Sequence, residues 1–92
     1  MRLDFTATIE RSGDMNAAFV RVPIDIKKEY GKGRLKVQAT FDGEPYSGSV
    51  VNMGVKNADG RVCYIIGITQ AIRKKIDKTF GDSVEVTLNP VL

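Results

Sequence analysis

The chain has 92 residues, with 14 Lys plus Arg, 11 Asp plus Glu and a formal net charge of +3. It has no histidine and a single cysteine, Cys63, which excludes an internal disulfide, a zinc site and a Ser-His-Asp or Cys-His catalytic arrangement. No apolar run reaches the roughly 20 residues of a membrane-spanning helix, and no glycine motif for nucleotides occurs. These features favour one domain, residues 1–92, in a reducing cytoplasm, without a cofactor or a metal. We therefore expect a protein that is not an enzyme, with lysine or carboxylate catalysis as the alternative.

The chain begins with two predicted strands. Alternate residues from Leu3 to Ile9 are apolar, which is the period of a half-buried strand over 3–10. A turn at 11–16 then leads into a second strand at 17–23.

A short helix follows the second strand. Pro23 suits the first turn of a helix, in which Ile26 and Tyr30 lie one turn apart on the apolar face. Gly31 and Gly33 end it. A helix of about two turns is too short to persist alone, so it needs a sheet beneath it.

The centre of the chain predicts a β-hairpin. Strands at 33–43 and 46–54 are separated by an Asp-Gly reversal signal. A turn centred on residues 43–44 would place Gln38 near Ser49.

The last part of the chain repeats the order strand, helix, strand. The apolar strand at 61–68 includes the cysteine, which we expect to be buried as a small hydrophobic residue. A helix at 69–78 begins with a threonine N-cap and turns Ile72 and Ile76 towards the core. The final strand is predicted at 83–88.

The two halves share one plan, β-β-α-β, over residues 3–42 and 44–88. Neither unit can cover its own apolar face, whereas two units related by a pseudo-twofold axis can. We therefore predict a mainly β fold, a closed or nearly closed six-stranded β-barrel with two short helices. An open sheet with both helices on one face is the alternative.

Several short motifs occur in a characteristic order: Phe5, "FVRVP" (19–23), "GRLKV" (33–37), "DGEPY" (42–46), "SGSV" (47–50), "AIRKKI" (71–76) and "GDSVEV" (81–86). In this order and spacing the chain resembles the domain-of-unknown-function family 1905 over residues 5–88. The resemblance implies a small β-barrel and a bacterial or archaeal source, with no settled activity. Relatives often have a tryptophan where "NAAF" stands and a glycine-rich loop where "VNMGVKNADG" stands, and both places are where a binding rim would lie.

A second, weaker likeness concerns residues 66–86. This stretch is similar to the strand-helix-strand unit of AbrB-like swapped-hairpin regulators, which bind DNA as dimers in which each chain supplies half a barrel. Here one chain holds two units, so we expect a monomer or a weak dimer.

The preferred binding site lies on the outer face of the central hairpin. Cations and hydroxyls in this strip could hold a small anionic ligand or contact a protein partner. The alternative is an ordinary solvated sheet face. The candidate residues are Arg34, Lys36, Gln38, Ser47 and Ser49.

A basic segment at 73–78 predicts the alternative function, nucleic-acid binding. Its four cations and one aspartate carry +3 of the net charge. The competing interpretation is the solvated face of a short helix, because no aromatic residue is interleaved among the cations to stack on bases. The candidate phosphate ligands are Arg73, Lys74, Lys75 and Lys78.

Overall fold

A computed structural model of the chain describes residues 2–13 and 16–91. The predicted turn at 11–16 contains residues 14 and 15, which lie outside the described residues. The described elements are β1 (Leu3–Thr8), β2 (Glu10–Arg11), β3 (Ala18–Arg21), α1 (Ile26–Tyr30), β4 (Arg34–Phe41), β5 (Glu44–Val51), β6 (Ile65–Ile68), α2 (Gln70–Ile76) and β7 (Ser83–Pro90).

The strands form one antiparallel sheet in the order β1-β7-β4-β5-β6-β3-β2. The strands at the two ends of this order, β1 and β2, are separated in the chain only by Ile9. One continuous stretch of chain therefore belongs to both ends, and the sheet curls into a nearly closed barrel. This confirms the predicted mainly β barrel with two short helices. The described strands number seven rather than six because the first predicted strand is divided at Ile9.

The barrel interior is filled by the apolar side chains that alternate along the strands. Phe41, Val20 and Ile66 are 0% exposed, which is the burial expected of inward-facing positions with period two. The helices add Ile26, at 0%, and Ile72, at 7%. Both helices therefore pack onto the barrel through the faces that the sequence predicts.

The helix ends follow from capping chemistry. Helix α1 begins at Ile26 rather than at Pro23, because the carboxylate of Asp25 accepts hydrogen bonds from the backbone N–H of Lys27 and of Lys28, both at 3.1 Å. Helix α2 begins after Thr69, as predicted, and the Thr69 hydroxyl accepts from the backbone N–H of Ile72 at 3.2 Å in a further N-cap.

The central hairpin closes one residue earlier than expected. Asp42 and Gly43 both have positive φ, 51° and 86°, as in a two-residue type I′ turn. Gln38 therefore pairs with Ser47, not with Ser49. The predicted register was wrong because the turn is centred on residues 42–43, where the Asp-Gly pair tolerates the left-handed conformation.

The predicted strand at 61–68 is regular only over its second half, Ile65–Ile68. Its first half folds back on the preceding loop, because the Cys63 N–H donates to the Val55 carbonyl at 2.9 Å and Lys56 forms a bridge with Val62. Cys63 is 3% exposed, which confirms the predicted burial.

The barrel has two places where neighbouring strands separate. β2 and β3 pair only at Glu10↔Phe19 and Arg11↔Ala18, and β1 pairs only with β7 among the described residues. The gap between β1 and the chain that follows β3 is called the open seam below. β5 and β6 likewise pair only at Val50↔Ile66 and Val51↔Ile65, and the gap beyond these pairs is called the covered seam.

The two seams occupy corresponding places in the two predicted units. Exchanging β1 with β5, β3 with β6, and β4 with β7 leaves the set of paired strands unchanged, if β2 is counted with β1. The pairings are therefore compatible with a pseudo-twofold axis, and the superposition of the two units stays a prediction.

Candidate functional site

The predicted hairpin strip is assembled on one outer face. Lys36 lies opposite Ser49 and Gln38 opposite Ser47 in the β4–β5 register, so their side chains are neighbours. Arg34 lies further along the same face, opposite Val51.

The side chains of this strip do not surround a pocket. The Ser47 hydroxyl donates to the Gln38 side-chain oxygen at 2.8 Å, so two of the predicted ligands bond each other. The five predicted residues lie outside the linings of the cavities described below. The structure therefore brings them together as a flat surface and not around a cavity.

The basic segment presents neither four free phosphate ligands nor the uniformly solvated helix face of the competing interpretation. Arg73 is only 6% exposed. Its guanidinium donates to the backbone carbonyl of Asn16 at 2.8 Å and lies 5.0 Å from the ring centre of Phe80. Its Nε is buried and has no hydrogen-bond partner among the described residues. Arg73 thus holds α2 to the chain before β3 and is not available as a phosphate ligand.

Two further cations of the segment are held by carboxylates. Lys75 lies 3.1 Å from Glu44, and Lys78 lies 2.6 Å from Asp42. The bond from Lys78 lowers the pKa of the Asp42 carboxyl below its ordinary 3.8, and a further bond from the Glu85 N–H acts in the same direction. Of the four cations in the segment 73–78, Lys74 is exposed and makes no ion pair with the described residues, 2–13 and 16–91.

A concave feature lies at the open seam, beside the edge of β1. This cleft has a volume of about 530 Å³, which is in the range of ordinary ligand pockets. One wall is β1, the opposite wall is the chain from Arg21 to Asp25, and the loop that contains Val62 forms the third side. β1 contributes Phe5, Thr6, Ala7 and Thr8 to the lining, and the Thr6 hydroxyl donates to the Glu85 carboxylate on β7 at 2.8 Å.

The backbone of β1 has an unpaired edge in this cleft. The Ile9 N–H donates to the Asp82 carbonyl at 2.9 Å, and the Ile9 carbonyl accepts from the Gly81 N–H at 2.8 Å. Since backbone groups alternate between the two edges of an antiparallel strand, those of Thr6 and Thr8 point away from β7. Within the described residues no strand pairs with this edge.

The sequence contains a physical reason for the opening. Extending the Glu10↔Phe19 register along both strands places Pro23 opposite Thr6. Proline has no N–H to donate and is tolerated only at the ends or edges of a sheet. The ladder between the first strand and β3 therefore stops before it reaches this position.

The charged side chains at the back of the cleft are held in place. The Arg21 guanidinium donates to Glu10 at 2.7 Å and to the Lys56 carbonyl at 3.0 Å. The hydrogen bond with Glu10 raises the pKa of Arg21 above its ordinary value. Arg21 thus ties β3 to β2 and to the loop before β6.

The cleft was missed by the sequence analysis, which placed the binding site on the hairpin. Two signals could have indicated it. One is the Val-Pro pair that follows β3, since proline stops a ladder. The other is the loop at 51–60, where a binding rim was expected and whose second half joins the lining of the cleft.

Two further findings concern the class of the protein. In the described part of the chain, no group of three or more His, Cys, Asp or Glu side chains is placed to hold a metal ion. Neither α1 nor α2 is long and apolar enough to cross a bilayer.

The fold and the seams define a small β-barrel protein with one strand edge left open beside a cleft. The chain belongs to the family "Domain of unknown function (DUF1905)", whose model matches residues 5–88. This confirms the resemblance to family 1905, while the weaker likeness to AbrB-like regulators stays a prediction. No curated protein matches the chain.

Proposed function

We propose that this protein is a non-enzymatic binding module, and that its ligand is an extended segment of a protein partner. The segment lies in the open seam and adds a strand to β1. The main support is the unpaired edge at Thr6 and Thr8, which faces a cleft of about 530 Å³.

The physical basis of the proposal is the cost of an open edge. Exposed strand edges recruit other chains, so proteins generally cover, twist or charge them. Here the edge lies inside a cleft with polar threonines and two arginines, Arg21 and Arg61, on its walls. A cleft admits one extended chain and hinders the edge-to-edge contact of two barrels. Strand addition then supplies affinity through main-chain hydrogen bonds, and the side chains in the cleft supply specificity.

The other functions predicted from the sequence have less support. A small anionic ligand on the hairpin would have to compete with the bond between Ser47 and Gln38. Nucleic-acid binding through 73–78 would rely on Lys74, because Arg73 is buried and the other two cations are paired. The absence of histidine supports a role without catalysis. The single cysteine supports a reducing compartment.

A peptide selection tests the proposal. A display library of random ten-residue peptides is selected on the immobilised protein, and amide exchange is measured with and without the selected peptides. We expect the peptides to slow the exchange of the Thr6 and Thr8 amides, because these N–H groups become donors to the added strand.

A matched pair of variants keeps the test decisive. In Thr6→Pro the lost N–H points into the cleft and makes no bond to β7, so the barrel keeps its ladder while the added strand loses a donor. Thr6→Val keeps the N–H and a strand-forming side chain. We expect peptide binding by Thr6→Val and not by Thr6→Pro, with both variants folded by circular dichroism. Equal binding by the two variants, or a selection without binders, contradicts the proposed function.

A further inference from the structure

A second concave surface adjoins the open seam and is strongly basic. It has a volume of about 600 Å³ and shares Asp25, Arg61 and Val62 with the cleft. We call it the basic hollow. The cations that line it come from α1 and from the loop before β6, and they are Lys27, Lys28, Lys56 and Arg61.

The positive charge of the basic hollow is not neutralised by carboxylates in its own lining. Lys27, Lys28 and Lys56 make no ion pair within residues 2–13 and 16–91. Arg61 lies 3.7 Å from Asp59, but its side chain is 87% exposed, so that pair is screened by solvent. The one carboxylate in the lining, Asp25, already accepts two backbone N–H groups at the start of α1.

The adjoining cleft has a different electrostatic character. Its lining contains two cations, Arg21 and Arg61, and two carboxylates, Asp25 and Asp59, so their formal charges cancel. In the basic hollow, four cations and one carboxylate leave a formal charge of +3. A chain that runs from the cleft into the hollow therefore passes from neutral to positive surroundings.

We infer that the partner segment is acidic at one end, with a neutral stretch paired to β1 and Asp or Glu residues in the basic hollow. This inference rests on the proposed function and names the chemistry of the partner. Charge complementarity of this kind raises the association rate and makes binding depend on salt. Lysines act as mobile point charges and do not select a fixed geometry. They therefore suit a run of several carboxylates.

The composition of the selected peptides is the first test. Among peptides that protect the Thr6 and Thr8 amides, we expect Asp and Glu to be enriched at one end relative to the starting library. We also expect their affinity to fall as salt is added.

Two triple variants of equal charge provide the second test. Lys27→Gln/Lys28→Gln/Lys56→Gln removes the free charge of the basic hollow. The control removes three exposed lysines elsewhere, Lys32→Gln/Lys36→Gln/Lys74→Gln, so both proteins change from +3 to 0. We expect the first variant to bind the acidic peptides about tenfold more weakly and with less salt dependence, and the control to bind them like the unmodified protein.

The outcomes separate this inference from the proposed function. Peptides that protect Thr6 and Thr8 without acidic enrichment, or that bind both triple variants equally, overturn the inference and leave strand addition standing. Citrate is the probe for a small anion, and if it binds the hollow as tightly as the acidic peptides the inference is also overturned. A dimer that is abolished by Thr6→Pro would show that a second copy occupies the edge, which overturns it too. A selection without binders removes the proposed function and the inference together.

Discussion

The open and covered seams arise in the same way, but a helix packs over only one of them. In each, the first strand of a unit pairs with the next strand only at its C-terminal end, and its earlier part has no partner on that side. At the covered seam, α2 packs against β5, Lys75 pairs with Glu44, and Arg73 holds the helix to Asn16. At the open seam, the corresponding helix α1 packs against β4 instead and leaves the edge of β1 beside a cleft.

The positions of two prolines sharpen this contrast. Phe41 and Glu44 close a two-residue turn, so their backbone groups face each other and those of Pro45 point towards the covered seam. At the covered seam, the edge strand β5 itself therefore lacks a backbone N–H donor at position 45. At the open seam, proline lies on the opposite wall, at position 23, and the donors of β1 remain. A missing N–H therefore protects an edge only when it belongs to that edge.

The largest expected difference lies in amide exchange within β1. The Ala7 N–H points to β7 and the Thr6 N–H points into the open seam, so we expect Thr6 to exchange about 100-fold faster. Exchange measured residue by residue by NMR checks this. Comparable protection of the two amides would mean that the seam is closed in solution.

The next largest effect concerns the side chain that fastens α2 over the covered seam. Arg73→Ala removes the bond to Asn16 and the packing over Phe80, and we expect a loss of about 2 kcal/mol in the free energy of unfolding. Urea denaturation measures the change. The neighbouring exposed control, Lys74→Ala, should stay within about 0.5 kcal/mol. Equal effects at both positions would argue against a fastening role for Arg73.

Two glycines of the covered seam provide a smaller, paired effect. A Cβ on Gly48 would lie 2.5 Å from the Tyr46 ring, whereas one on Gly67 would have its nearest contact at 3.8 Å, with the Ala18 carbonyl. We expect Gly48→Ala to lower the free energy of unfolding by about 1 kcal/mol, since the ring must move. Gly67→Ala should change it by less than about 0.5 kcal/mol. A neutral Gly48→Ala would show that Tyr46 is mobile at this seam.

The smallest effect is expected at the hairpin turn beside α2, and it depends on pH. Because the pKa of Asp42 is lowered in the folded protein, its ion pair stabilises the fold above the unfolded value near 3.8 and is lost as the pH falls below it. Asp42→Asn keeps the turn conformation and should cost about 0.5–1 kcal/mol at pH 7. The difference between the urea midpoints of the two proteins should be smaller at pH 2.5 than at pH 7. A constant difference would exclude the carboxylate as the cause.

Much of the fold could be predicted from local pattern. The alternation from Leu3 to Ile9, the threonine before α2 and the apolar face of that helix all give the observed structure, because each depends on neighbouring residues. The hairpin register could have been predicted too, since residues 42–43 carry the strongest turn signal in the region.

The candidate site could be predicted less well. The sequence places four cations in one segment, but it does not show that Lys78 meets Asp42, 36 positions away in the chain, or that Arg73 is buried. Such pairings depend on how distant strands come together, so they cannot be predicted from local periodicity.

Local pattern in the sequence accounts for the alternating strands and the two short capped helices, because strand period and capping act over a few residues. Local pattern does not set which cations are free or which strand edge remains unpaired. Both depend on the closure of the barrel, which brings residues from opposite ends of the chain to the same seam.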